Sequence, residues 1–213
     1  MRSMTLLSSL AIPLYVADGG SPPEFQKWLE RLPNVALHRV KGLVPQVRWS
    51  LAAAAGQAEW VLYTEPDKAE FFENGLQSLL RAAEGDAHAR LFVPGRTPDS
   101  FRTFPEGQRI VEQSFNQMAA GLLGTDPADI LYGPMLLYRD LLKVLASVPD
   151  DAGWGWRIYL YAQAHLSGHA IRILHGNHDC PSDQRSEDDA QGRAYRLQQL
   201  VQNTNSLRQA LLD

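Results

Sequence analysis

Two carboxylates, Glu65 and Asp67, stand two positions apart in the stretch EWVLYTEPDK at 59–68. Oxygen ligands at that spacing suit a hard cation such as Mg²⁺ or Mn²⁺. Such a cation could then hold a diphosphate. The plainer reading is that Asp67 caps the next helix and Glu65 is a solvated loop acid. The spacing by itself leaves both readings open. Position adds to it: Trp60, Val61, Leu62 and Tyr63 form a short run of strand formers, as a buried parallel strand requires. Pro66 has no N–H to give a ladder, so the strand stops before it. The acids therefore follow the strand's carboxyl end, where open α/β sheets bind ligands.

The elements that must place these acids alternate along the chain. The spacing predicts strands near 12–17, 35–40, 60–63, 89–93, 130–138 and 170–174. A helix ends near Leu10, and others run to about Leu32, over 46–55, 70–83, 106–123, 139–147 and 154–166. A final helix closes the chain. Pro22 and Pro23 suit a helix start. Gly133-Pro134 interrupts the fifth strand, which is expected to be bent or at an edge. The fold class is α/β: a mostly parallel open sheet, with 60–63 inside it and helices on both faces. Asp18, in the turn Asp18-Gly19-Gly20-Ser21, then shares a rim with Asp67.

With 213 residues, the chain reads as a single domain, 1–213, with a substantial core. The composition, 45% hydrophobic and 21% charged, is that of a soluble globular protein. A net charge of -4 without a basic block argues against nucleic acid as a partner. Cys180 is the lone cysteine, which excludes an intramolecular disulfide and fits a reducing cytoplasm. No run reaches the length of a membrane span. The apolar start, 1–16, reads as helix and strand rather than as a signal peptide.

Other chemistries find little support. Cys180, followed by Pro181, does not read as a nucleophile, and a buried structural cysteine is the commoner case. DGGS lacks the spacing of a dinucleotide loop or a P-loop. The six histidines form no zinc pattern with one cysteine. SDQRSEDD at 182–189 is a solvated charge run whose acids suit the start of the last helix. Trp154, Trp156, Tyr159 and Tyr161 could stack on a sugar ring. Trp154, Ile158 and Tyr161 also have helical spacing, which is the pattern of a core.

Three segments resemble one family. VADGGS at 16–21 resembles the turn after the second strand of A-type glycosyltransferases. EPD at 65–67 resembles their DxD motif, with Glu in first place. GWGW at 153–156 is similar to the acceptor-side GWG of family 2-like bacterial members. Order and spacing agree across nearly the whole chain. The resemblance implies a glycosyltransferase that takes sugar from a nucleotide-diphosphate donor, assisted by Mg²⁺ or Mn²⁺. It implies that Asp18, Gly19, Gly20, Ser21, Gln46 and Arg48 face the donor nucleotide, with Arg48 or Lys68 adding positive charge. Glu65 and Asp67 would hold the metal, joined by His175 or His178 from the loop after the last strand. Trp154, Gly155 and Trp156 would face an unnamed acceptor. Two departures stand out. The family opens with a strand and helix ahead of 12–17, and this chain begins inside that helix. An exposed edge beside 12–17 then invites pairing into a homodimer. Inverting members place an acid just after GWG, and here Arg157 stands there, leaving Asp150, Asp151 or Asp179 as the general base. These departures motivate the alternative: a glycosyltransferase-like protein that binds a ligand or partner without catalysis.

Overall fold

The structure, a computed structural model, describes residues 2–10, 12–186 and 189–213. Glu187 and Asp188 of the expected charge run lie outside the described residues. The helices are α1 (Arg2–Ser8), α2 (Pro23–Leu29), α3 (Leu43–Ala55), α4 (Ala69–Asn74), α5 (Leu76–Gly85), α6 (Pro98–Phe101), α7 (Glu106–Leu123), α8 (Trp156–Leu166) and α9 (Ala190–Ala210). Two 3₁₀ segments, Arg139–Ala146 and Gly153–Gly155, precede α8.

The strands fall into two sheets. β1 (Leu14–Asp18) and β2 (Val35–Arg39) pair in parallel. β3 (Trp60–Tyr63), β4 (Ala89–Arg96), β5 (Met135–Tyr138) and β6 (Ala170–Gly176) form the second sheet, in the order β3-β5-β4-β6. β4 and β6 are parallel, and β5 runs against both β3 and β4. Three of its four strands thus share one direction, so the α/β class stands. The expectation of one sheet with 60–63 inside it does not. Among the described residues β3 has β5 as its ladder partner and β1 has β2. Strand–helix alternation predicts that strands exist, but neighbours are chosen by tertiary pairing. The strand expected over 130–138 is shortened to Met135–Tyr138. Gly133 sits at φ 134° and Pro134 has no N–H, so neither continues a ladder.

The pairing leaves two backbone edges without a strand. Leu14 N–H donates to Asn34 O and Val40 N–H donates to Asp18 O, so the even-numbered residues of β1 face β2. Tyr15 and Ala17 present their backbone groups to the opposite side. On β3, Arg139 N–H donates to Glu59 O, so Trp60 and Leu62 likewise face away from β5. Helix α3 packs on both β1 and β3 and joins the two sheets.

Side chains of the larger sheet alternate between two cores, as the pleat requires. Val61, Leu91, Val93, Met135 and Leu137 enter one core with α3, α7, α8 and α9. Phe92 and Leu136 enter the other, with Phe71, Leu76 and Leu79 from α4 and α5. The small sheet has a separate cluster in which Met4 and Leu7 of α1 meet Leu29 of α2.

Candidate active site

β3 delivers its acids where the sequence places them, just past Tyr63. Glu65 is largely buried, its side chain 13% exposed. Its Oε1 accepts from Arg157 Nη1 at 3.1 Å. Its Oε2 is ion-paired with Lys68 Nζ at 4.0 Å, beyond hydrogen-bond reach, and accepts no hydrogen bond although it is buried. Lys68 also pairs with Asp67 at 2.9 Å, and the Asp67 side chain is 41% exposed. The site thus holds two carboxylates and two cations, with one buried carboxylate oxygen lacking a hydrogen bond. Arg157 comes from the first turn of α8, and its guanidinium lies 5.2 Å from the Trp154 ring. Tyr63 stands edge-on to buried Trp156 beneath this group. Burial, and then the charge of Glu65, push the Tyr63 hydroxyl well above its ordinary pKa, so it stays protonated.

Gly133 closes the site from above. A Cβ there would overlap Glu65 Oε2 and press on Lys68 and Arg157. In the sequence this glycine reads as a strand interruption, and no local signal marks its place over the acids. The loop that carries it is pinned by a buried cluster. Arg96, its side chain 1% exposed, bonds Asp129 at 2.7 Å and Glu112 at 2.5 Å. Its guanidinium sits near the rings of Phe101, Phe104 and Tyr132. Burial opposes the Asp129 charge, but Arg96 outweighs it and holds that carboxyl below the usual range. PGRTP in the sequence signals only a loop, and no local pattern marks this cluster.

At the end of β1, Asp18 is buried and serves its own turn. It accepts from Gly20 N–H, Ser21 N–H and Gln26 Nε2. Burial raises its pKa, and these bonds more than reverse that shift. Gly20, at φ 129°, makes the turn possible. Gln46, near the start of α3, packs on Gly19, where a side chain would collide with it. Asp18, Gly19, Gly20, Ser21 and Gln46 therefore form one corner.

Several expected residues are placed elsewhere. Arg48 ties α3 to the segment after β5, through Leu145 O, Val148 O and Asp150. Its guanidinium is committed there, so the expected donor contact is corrected to a structural clamp. The set of Glu65, Asp67, His175 and His178 is not gathered into one centre: the described residues contain no cluster of three such ligands. His175 has its Nδ1 3.1 Å from Arg96 O. His178 is 2% exposed, stacked at 4.8 Å on Tyr132, with Nδ1 unpartnered. Burial depresses its pKa to about 4, against the pull of Asp129. Trp156 and Gly155 do not meet an acceptor. Trp156 is fully buried, and Gly155 is pressed on Gln202 and Ser206 of α9. Trp154 alone of that trio is partly open, its indole N–H donating to Tyr195 Oη at 2.8 Å. Asp151 is exposed, away from any partner this structure records, and Asp150 is held by Arg48.

No protein-family model and no curated protein sequence matches this chain. Solved structures do. Glucosyl-3-phosphoglycerate synthase from Mycobacterium tuberculosis, in complex with Mn²⁺, uridine diphosphate and phosphoglyceric acid, superposes with a TM-score of 0.63 at 18% identity. That match covers 98% of this chain and 73% of the synthase. The same enzyme with phosphoglyceric acid alone gives 0.62 at 16% identity, covering 96% and 75%. A mycobacterial protein gives 0.63 at 17% identity, covering 96% and 70%. The chain has the A-type glycosyltransferase fold. Likeness at this identity shows the fold alone.

Proposed function

We propose that this protein transfers a sugar from a nucleoside-diphosphate-sugar donor to an acceptor, with a divalent cation at Glu65 and Asp67. The observation that carries the reading is Glu65 Oε2, a buried carboxylate oxygen left without a hydrogen bond at the end of β3. Burying an anionic oxygen without a hydrogen bond is costly, and a cation or its water would answer it. Glu65 and Asp67 fit a hard cation that takes one or two carboxylates and completes its shell from phosphate oxygens and water. His175 and His178 do not fit that role. When bound, such a cation withdraws charge from a leaving diphosphate.

The chain's own residues supply the rest. Arg157 and Lys68 bring two positive charges to the same acids. Charge that develops on a leaving diphosphate meets them in a partly buried setting, where attraction exceeds that in water. Arg157 also fixes the rotamer of Glu65 through Oε1, leaving Oε2 for the cation. The corner of Asp18, Gly19 and Gln46 offers the nucleotide a shaped edge. The non-catalytic alternative loses one support, because Arg157 has a role as the partner of Glu65.

The test is calorimetry with uridine diphosphate, the nucleotide of the solved complexes above, with and without Mn²⁺. Binding is expected with metal, and Asp67→Ala is expected to weaken it by about tenfold or more, the loss of one charge-assisted contact. Unchanged affinity in Asp67→Ala would remove the metal role. No binding under either condition would remove the nucleotide reading itself.

A further inference from the structure

We infer that the face formed by α7 and α9 docks the protein onto an anionic lipid surface. No helix of the described residues is long and apolar enough to cross a membrane, so the contact is peripheral. On α7, Ile110, Met118 and Leu122 are exposed and lie at multiples of four residues, on one stripe. Gln113, Ser114, Gln117 and Gly121 continue that face, and its charged residue, Glu106, stands at the far end in the first turn of α7. On α9 and the residues after it, Leu197, Val201, Leu211 and Leu212 are exposed, on one side of the helix. Leu122 and Met118 meet Leu207, Leu211 and Leu212 around a groove of about 300 Å³ that Arg208 also lines. Soluble proteins seldom leave this much contiguous apolar surface uncovered without a use for it.

Charge selects the occupant. The chain carries a net charge of -4, yet residues 190–212 contain three arginines and no acid. Arg193 and Arg208 are exposed and fall on the same side as Leu197, Val201 and Leu211. The flanking acids are turned to other tasks. Asp189 caps α9 by accepting from Gly192 N–H, and Asp213 accepts from Tyr159 Oη and Gln209 Nε2. Leucine and valine interleaved with arginine on a solvent-facing helix is the pattern that lies in a headgroup layer. There the apolar side chains enter the acyl boundary and each guanidinium meets phosphate or carboxylate. A second copy paired α9 to α9 would set guanidinium against guanidinium along the helix, with acids confined to its two ends at Asp189 and Asp213.

The experiment is co-sedimentation of the full chain with vesicles of phosphatidylcholine, alone or with about one-third phosphatidylserine. Binding is expected to the anionic vesicles only, and to weaken as salt is raised. Arg208→Gln should lower the partition about fivefold, and Val201→Glu should abolish it. Val201 is 57% exposed, so folding should be unchanged, which uridine diphosphate binding or thermal melting checks. Absence of binding to either vesicle would overturn the proposal. Binding that survives both substitutions would overturn it too, because another face would then be responsible. A dimer in light scattering that Val201→Glu dissolves, without vesicle binding, would assign the face to a second copy instead.

Discussion

Glu65 is held by Arg157 on one oxygen and left open on the other, and Gly133 makes that arrangement possible. At φ 134° the backbone strains any L side chain, and a methyl group there would displace Oε2. Gly133→Ala is expected to destabilise the fold by about 1–3 kcal/mol from the backbone alone. Denaturant unfolding that matched the unaltered protein would sink this account. His178 gives a second test at the same scale. Its folded pKa is depressed to about 4 from an ordinary 6.5. The unfolded chain therefore binds the extra proton first as pH falls. The stabilising contribution is complete above pH 6.5 and is lost on the way to about 4, on the order of 3 kcal/mol over that window. His178→Phe keeps a ring on Tyr132 but cannot titrate. Its melting temperature should fall less between pH 7 and pH 5 than that of the unaltered protein; parallel falls would clear His178 of the effect.

Among the elements, the strands and helices were largely legible, because period-two and helical patterns report burial directly. The ladder partners were not, since pairing depends on contacts distant in sequence. GWGW shows the same limit. The sequence marks Trp154, Gly155 and Trp156 as one unit, yet the α9 backbone crosses Gly155 so closely that no side chain fits there, and Gly153, at φ 54°, faces the Gln202 side chain of the same helix. These glycines serve helix packing, and only residue types in space reveal that. The unpaired edges carry a prediction of their own. Amides of Tyr15 and Ala17 should exchange with solvent much faster than that of Val93, which is buried within β4 between β5 and β6. Equal protection in dilute protein would mean the β1 edge is covered. Protection that grows with concentration would instead reveal the pairing with a second copy that the exposed edge invites.

At the scale of the whole molecule, the A-type fold could be read from three short segments, whereas the site was legible only in part. Glu65, Asp67 and the Asp18 turn lie at strand ends, which turn signals mark. Arg157, Gly133 and the Arg96 cluster owe their place to pairings across 92, 68 and 33 positions, which no local pattern encodes. The division between the two sheets has one further consequence. Asp18 and Glu65 belong to separately hydrogen-bonded frames joined through α3. Under the proposed function, a donor that spans both would rivet the two frames. Mass action would then stabilise the folded chain by about 2.7 kcal/mol at a hundredfold excess over the dissociation constant, which thermal melting with the nucleotide reads.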